Sequence, residues 1–180
     1  MEQLLIHTDR LLLRNLKESD LENFFIYRSN PEVTKYQSFD VMSKDECMVF
    51  IKSQTHKLFG NLGEWVQYGI EEKSSGNLIG DFAIKLNENN GQLAEIGITI
   101  SHLYQQKGFA KECLTTLVNW LFNSHNIHRI TETVDAENIA SIKLLQSVGF
   151  KQEGHFVENI FFKGKWGSEY QFALLKRDWK

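Results

Sequence analysis

The sequence predicts an α/β or α+β sandwich built on a mixed sheet. Three observations carry that reading. Short apolar runs of strand character alternate with segments of helical periodicity. A three-strand meander occupies residues 64 to 102. A glycine-bearing loop then leads into a long amphipathic helix. The chain has 180 residues, one domain's worth of length, and is read as a single domain over residues 1–180. That length buries roughly 70% of the unfolded surface, so neither a metal nor a disulfide staple is needed.

The elements follow in order. Leu11-Leu12-Leu13, between Arg10 and Arg14, reads as a first strand. Ser19-Asp20-Leu21-Glu22 and Ser43-Lys44-Asp45-Glu46 each fit a capping box, in which the serine and the glutamate satisfy orphan amides reciprocally. The first helix puts Leu21, Phe24 and Phe25 on one face and stops before Pro31; the second does the same with Cys47, Phe50 and Ile51. The meander runs Trp65 to Glu71, Leu78 to Leu86 and Ala94 to Ile100, with turns at Ser74 to Asn77 and Asn87 to Gly91. In its last strand Ala94, Ile96, Ile98 and Ile100 share one face. Glu95, Gly97 and Thr99 share the other, which suggests a face that something approaches closely. A helix from about Lys107 to Ser124 buries Ala110, Leu114, Leu117, Val118 and Leu121. Arg129 to Asp135 is a strand. Asn138 to Val148 is a short helix with Asn138 as N-cap and Gly149 at its end. Phe156 to Phe162 and Trp166 to Leu175 close the chain as a hairpin. The predicted order is β-α-α-β-β-β-α-β-α-β-β.

Composition excludes several classes. Net charge is −3, hydrophobic residues make up 42% and charged residues 24%, ordinary for a globular protein and unlike a disordered tail. There is no Lys/Arg run to track a nucleic-acid backbone, and no apolar stretch approaches the length of a membrane span. Met1 to Arg10 lacks the apolar core of a signal peptide. Cys47 and Cys113 lie far apart and suit a reducing, cytoplasmic compartment. His125 and His128 have no third ligand at metal spacing, so no metal is expected. Phe156, Phe161, Phe162 and Trp166 suit a strand core or a subunit contact; a monomer or a homodimer is compatible with the sequence.

The segment Gln105-Gln106-Lys107-Gly108-Phe109-Ala110 carries the chemistry. Glycine at a helix start lets a ligand approach the backbone, the first-turn amides have no internal partner, and the helix dipole favours an anion. Lys107 and Lys111 add positive charge. A glycine serving a tight turn beside solvated lysines explains the same residues.

Residues 105–110 match the [Q/R]-x-x-G-x-[G/A] motif of the GNAT superfamily of acyl-CoA-dependent N-acetyltransferases. Thr8 to Arg14, Leu78 to Asp81, Ala94 to Ile98, Asn138 to Ser141, Gly149-Phe150 and Glu153-Gly154 resemble its RimJ/RimL-type branch, the ribosomal-protein N-terminal acetyltransferases. A spermidine acetyltransferase shares much of the pattern. The resemblance implies a GNAT-like fold: a mostly antiparallel twisted sheet with a splayed parallel strand pair and flanking helices. It implies acetyl-CoA as cofactor. Backbone groups of Ile98, Thr99 and Ile100 would pair with the pantetheine arm. Amides of Gln106, Lys107, Gly108, Phe109, Ala110 and Lys111 would bind the pyrophosphate. Asn138 and Ser141 would flank the thioester; without the resemblance they read as an N-cap and an exposed helical serine.

Acetyl transfer needs an amine freed of its proton, because an ammonium has no lone pair. Glu95 is the base expected, directly or through a water; a structural carboxylate paired with a cation is the competing reading. Many GNAT enzymes carry a tyrosine seven residues after the asparagine. Here that position is Leu145, so Ser141 is the expected partner of the departing sulfur, with Tyr104 second. The acceptor implied by the branch is a protein N-terminal α-amine. A polyamine, an aminoglycoside or another small amine is the alternative, and a non-catalytic coenzyme A-binding module a further one.

Overall fold

The computed structural model describes residues 3–37 and 39–180; Met1 and Glu2, the start of the stretch compared above with a signal peptide, lie outside it. Eight strands form one sheet: β1 (Leu5–His7), β2 (Leu11–Asn15), β3 (Trp65–Glu72), β4 (Leu78–Leu86), β5 (Leu93–Ile100), β6 (Arg129–Asp135), β7 (Lys151–Phe162) and β8 (Lys165–Leu175). Their spatial order is β1-β2-β3-β4-β5-β6-β8-β7. Every neighbouring pair is antiparallel except β5 with β6. The helices are α1 (Leu21–Arg28), α2 (Pro31–Thr34), α3 (Lys44–Gln54), α4 (Phe109–Ser124) and α5 (Ile139–Val148). None of the described helices is long and apolar enough to cross a membrane.

Strand alternation divides the side chains between two cores. Phe82, Ile84 and Leu86 of β4 and Ala94 and Ile96 of β5 pack with Phe109, Cys113, Leu114, Leu117 and Leu121 of α4 and with Leu145 of α5. A smaller core joins Phe24 and Tyr27 of α1, Cys47 and Ile51 of α3, and Leu16 and Leu78. Asp81, Ala83 and Lys85 alternate with the large-core residues of β4 and sit in register with Thr99, Gly97 and Glu95. The sheet face that carries Glu95 is therefore turned away from the core of α4 and α5.

The feature that positions the site is the parting of β5 from β6. The two strands pair at Leu93↔Arg129, Ala94↔Ile130 and Glu95↔Thr131 and no further. Beyond that point β5 stays with β4 to Ile100↔Gly80, and β6 stays with β8 to Asp135↔Glu169. Gly80 makes the first of these possible. A Cβ there would lie 2.3 Å from the Thr99 carbonyl oxygen and 3.1 Å from the Ile100 Cα, so only a residue without a side chain lets β5 hug β4 at its far end.

Several sequence expectations shift. β1 and α2 are additional: β1 pairs with β2 at the sheet edge, and Asn30 caps α2 by accepting from the Glu32 amide at 2.9 Å. The capping box at Ser43 forms, with Glu46 accepting from the Ser43 amide at 2.7 Å. The one at Ser19 does not. Asp20 instead takes the Lys17 amide and a forked pair of hydrogen bonds from the buried Arg14, at 2.8 and 2.7 Å. The capping carboxylate thus belongs to an ion pair that ties β2 to α1. β7 begins at Lys151, five residues earlier than its apolar run. Phe156, Phe161 and Trp166 are exposed and form no part of the core.

Gly80→Ala should cost about 1–3 kcal/mol, the scale of an overpacked site, because the contact is with backbone and cannot be relieved by a rotamer. Urea denaturation measures it; an unchanged midpoint would mean that β4 and β5 are not held this closely.

Candidate active site

The splay opens toward the carboxyl ends of β5 and β6, where the crevice of an open parallel pair receives ligands. Two helix starts face it in sequence: β5 leads through residues 101–108 to α4, and β6 leads through 136–138 to α5. On the α1/α3 side lies a cleft of about 700 Å³. Glu95, Gly97 and Thr99 line it from one strand, and Thr133 and Asp135 from the other. Phe50, Trp65 and residues 36, 37 and 39–42 form walls, and Phe162 and Glu169 line it as well. The β7–β8 turn is hooked to α2 and to the wall: Lys163 Nζ donates to the Thr34 carbonyl at 2.6 Å and lies 3.7 Å from an Asp40 oxygen.

Glu95 occupies the closed end of the splay, half-buried, and forms no salt bridge with any described residue, although Lys85 stands opposite it across the strands. The structural ion-pair reading of this carboxylate therefore finds no partner. A Cβ on Gly97 would meet no atom within 4 Å; the small residue leaves space above the strand and relieves no crowding within the protein.

The cleft is acidic. Asp40, Glu46, Glu95, Asp135 and Glu169 line it, and its one lining cation is Arg28. That guanidinium is committed elsewhere. It is buried and donates to Asp81 Oδ1 at 2.6 Å, and Asp81 also accepts from the Tyr27 hydroxyl at 2.6 Å and from the Gln67 amide. Arg28 further lies 4.1 Å from the centre of the Phe39 ring and 5.0 Å from that of Phe24. Burial costs such an ion several kcal/mol, offset here by the paired carboxylate and the rings. The pair fixes α1 to β4; of the cleft carboxylates Asp40 is paired with Lys163, and Glu46, Glu95, Asp135 and Glu169 form no salt bridge with any described residue.

The start of α4 is left uncapped. Gly108 is the N-cap residue at φ +81°, and no side chain caps the helix. The amides of Phe109, Ala110 and Lys111 meet no acceptor among the described residues. A buried helix start left in this state is unfavourable; an exposed one is an anion cradle. Gln106 is also left-handed, at φ +61°. Lys107 does not lend its charge as expected: its ammonium donates to the Leu103 carbonyl at 2.9 Å and lies over the Tyr104 ring. The positive group packed on the loop is Arg10, which the sequence did not single out. Its Nη1 donates to the Lys107 carbonyl at 3.1 Å.

Of the three residues expected to meet a pantetheine arm, Ile98, Thr99 and Ile100 all lie on the part of β5 whose outer edge has no strand partner. The Ile100 carbonyl is taken by the Gln105 side chain at 3.0 Å. Beyond the end of β6, Asn138 Oδ1 accepts from the Ser141 amide at 3.2 Å, so the N-cap role is real. The Ser141 hydroxyl has no hydrogen-bond partner among the described residues and is half-buried. Leu145 is fully buried in the large core. A side chain at that position points away from the cleft, which explains how an apolar residue stands there.

Glu132 was not legible as a special residue. On β6 it sits between two cleft-side threonines and faces the large core, 4% exposed, with one carboxylate oxygen that finds no hydrogen-bond partner. Burial, and secondarily the charge of Glu95, push its pKa up to about 8. Its only signal in the sequence is an acidic residue at an inward position of an otherwise apolar alternation.

The chain matches known proteins along nearly its whole length. Residues 10–151 match the family described as Acetyltransferase (GNAT) domain. An uncharacterized N-acetyltransferase, p20, of Bacillus licheniformis is 32% identical over 178 residues, 97% of each chain. The spermidine N(1)-acetyltransferase of Vibrio cholerae is 28% identical, covering 93% of this chain and 94% of its own. The crystal structure of a GNAT-family acetyltransferase from Bacillus anthracis superposes with a TM-score of 0.85 at 26% identity, over 97% of this chain and 99% of that one. Similarity to the [ribosomal protein uS5]-alanine N-acetyltransferase of Escherichia coli is partial, 31% over 84 residues, 47% of this chain and 43% of that one.

Glu132 gives a stability signature. Between its ordinary value of 4.5 and about 8, the folded chain holds a proton that the unfolded chain has released. Stability should therefore fall as pH rises through that window, by at most about 1.4 kcal/mol per unit. Glu132→Gln, which imitates the protonated acid, should flatten that slope and raise the midpoint of urea unfolding at pH 8. Parallel slopes for the two proteins would show that the carboxyl is ionised when folded.

Proposed function

This chain belongs to the GNAT acetyltransferase family and is an N-acetyltransferase that uses acetyl-CoA; we propose that its acceptor is a primary amine on a small molecule carrying at least one further positive charge, as a polyamine does. The observation that carries this reading is the cleft. Five carboxylates line it, its one cation is already paired with Asp81, and aromatic walls stand at Phe39, Phe50, Trp65 and Phe162. Carboxylates and ring faces together recognise ammonium groups. The relative acting on spermidine supports the reading at near full length. A protein N-terminal α-amine is the second reading, supported by the partial similarity to the ribosomal-protein enzyme and by the openings of the RimJ/RimL type in the sequence.

Acetyl-CoA supplies an activated acyl group as a thioester. The chain's residues do the rest. The amides of Phe109, Ala110 and Lys111 would hold the pyrophosphate at the start of α4, and the unpaired edge of β5 would take the pantetheine arm. The acceptor enters from the α1/α3 side, where the acidic walls draw in its ammonium groups. Glu95 receives a proton from the reacting ammonium (pKa ~10.4 for a primary alkylamine), which exposes the lone pair. As the new C–N bond forms and the thioester C–S bond breaks, the Ser141 hydroxyl would hydrogen-bond the departing sulfur, and the second proton of the amine nitrogen would pass to the thiolate, which leaves as the free thiol. A covalent acetyl-enzyme has no candidate thiolate, because burial raises the pKa of both Cys47 and Cys113 and keeps them protonated. Transfer is direct, within a ternary complex.

The deciding experiment is an acceptor screen read by free-thiol release. Spermidine, a monoamine of equal length and short peptides with free N-termini are compared at equal concentration. Turnover should be highest with the polyamine; peptides preferred over every polyamine would favour the second reading. Glu95→Gln should retain coenzyme A affinity and lose roughly 10²–10⁴ in kcat, the scale of general base catalysis. A near-normal rate at pH 7 would remove Glu95 from the proton path. Gly97→Val, whose Cβ would meet no protein atom within 4 Å, should fold normally, leave coenzyme A affinity unchanged and raise the acceptor KM about tenfold or more. An unchanged KM would place the acceptor elsewhere.

A further inference from the structure

The loop at the start of α4 is held by a cluster that begins far away in sequence. Thr8 and Arg10, in the turn between β1 and β2, converge on Glu112 in the first turn of α4. Glu112 Oε1 accepts from the Thr8 hydroxyl at 2.5 Å and from the Arg10 amide at 3.0 Å, and Oε2 accepts from Arg10 Nε at 2.7 Å. Arg10 Nη2 is 2.7 Å from the same oxygen. The remaining nitrogen of the guanidinium, Nη1, donates to the Lys107 carbonyl at 3.1 Å. The plane of the group lies 4.4 Å from the centre of the Phe109 ring. A Cβ on Gly108 would come within 3.4 Å of Arg10 Nη2. One side chain thus touches residues 107, 109 and 112 and borders 108, while half of it remains exposed.

The charge at this place matters. A carboxylate in the first turn stabilises the helix dipole, but it also repels any anion bound at the same helix end. Partial burial opposes ionisation of Glu112; the hydrogen bonds from Thr8 and Arg10 outweigh it and keep the group charged. Without Arg10 that charge would face the anion site uncompensated. Lys107 cannot replace it, being turned back onto Leu103 and Tyr104.

We propose that Arg10 is a positioning residue of the pyrophosphate site, which fixes the 107–109 backbone through the Lys107 carbonyl and cancels the charge of Glu112. The inference rests on the assignment of the pyrophosphate to this loop. Arginine suits both tasks because its planar fork spans two acceptors at once, which a lysine cannot do.

Calorimetric titration of the unliganded protein with coenzyme A, and with pantetheine, which lacks the pyrophosphate, tests the idea. Arg10→Ala should weaken coenzyme A binding about tenfold or more, the loss of a charge-assisted contact, and leave pantetheine binding within twofold. In turnover it should raise the acetyl-CoA KM by a similar factor with kcat nearly retained. Arg10→Lys keeps a charge beside Glu112 but releases the Lys107 carbonyl. It should fold even if the alanine variant does not, and weaken coenzyme A binding about threefold. Gly108→Glu separates the two levels of the argument. If it leaves coenzyme A binding unchanged, the pyrophosphate does not bind this loop. If it abolishes binding while Arg10→Ala and Arg10→Lys stay within twofold of the parent, the loop is right and the role of Arg10 is wrong. Equal weakening of coenzyme A and pantetheine by the Arg10 variants would likewise overturn it.

Discussion

The parting of β5 and β6 after three residue pairs is the constraint on which the rest of the molecule depends. Two strands that separate leave unpaired backbone edges, and such edges are unfavourable unless something occupies them. Each strand is held in its direction by a different partner: β5 by β4, drawn close at Gly80, and β6 by β8. The opening is thus built into the sheet and does not depend on a flexible loop. β5 and β6 lead from it to the starts of α4 and α5, so a single backbone arrangement supplies unpaired helix-start amides, a vacant strand edge and the Asn138–Ser141 turn.

Around that opening, charge is distributed unevenly and with consequence. Two buried arginines serve architecture. Arg14 joins β2 to α1 through Asp20 and to β3 through Glu71 at 2.6 Å, and Arg28 joins α1 to β4 through Asp81. Because those cations are neutralised where they stand, the carboxylates of the cleft act on whatever enters it. Glu132, a buried carboxyl with no salt-bridge partner among the described residues, behaves differently. It has no cation and an unbonded oxygen, so keeping its proton is the least costly state for it.

The anion side obeys a similar economy. The start of α4 is uncapped, and the cluster of Thr8, Arg10 and Glu112 is hydrogen-bonded to its first turn and to the Lys107 carbonyl. The β1–β2 turn, at the far edge of the sheet, is thereby tied to the loop that follows β5. A short edge strand with little core of its own acquires a role through that tie.

The sequence by itself determined the elements whose pattern is local. Alternation marked β4 and β5 to within a residue, the apolar stripe marked α4, and Ser43 and Asn138 marked two helix starts, because caps and periodicity act over three or four residues. Gly108 and its flanking amides were legible for the same reason, as was Glu95, a charge on the open face of a good strand. Tertiary structure decided what depends on partners distant in the chain. The box expected at Ser19 gave way to one in which Asp20 takes the Lys17 amide and is held by Arg14 from β2. Lys107 turned away from the loop, and Arg10 arrived from 97 residues earlier to replace it. Leu145 proved to be core, and Glu132, an ordinary acidic residue in the sequence, became an unpartnered buried acid once β6 was packed beneath α4 and α5. A carboxyl's pKa, a cation's availability and the sign of a cleft's charge are set by what surrounds each group in space, and periodicity along the chain does not encode them.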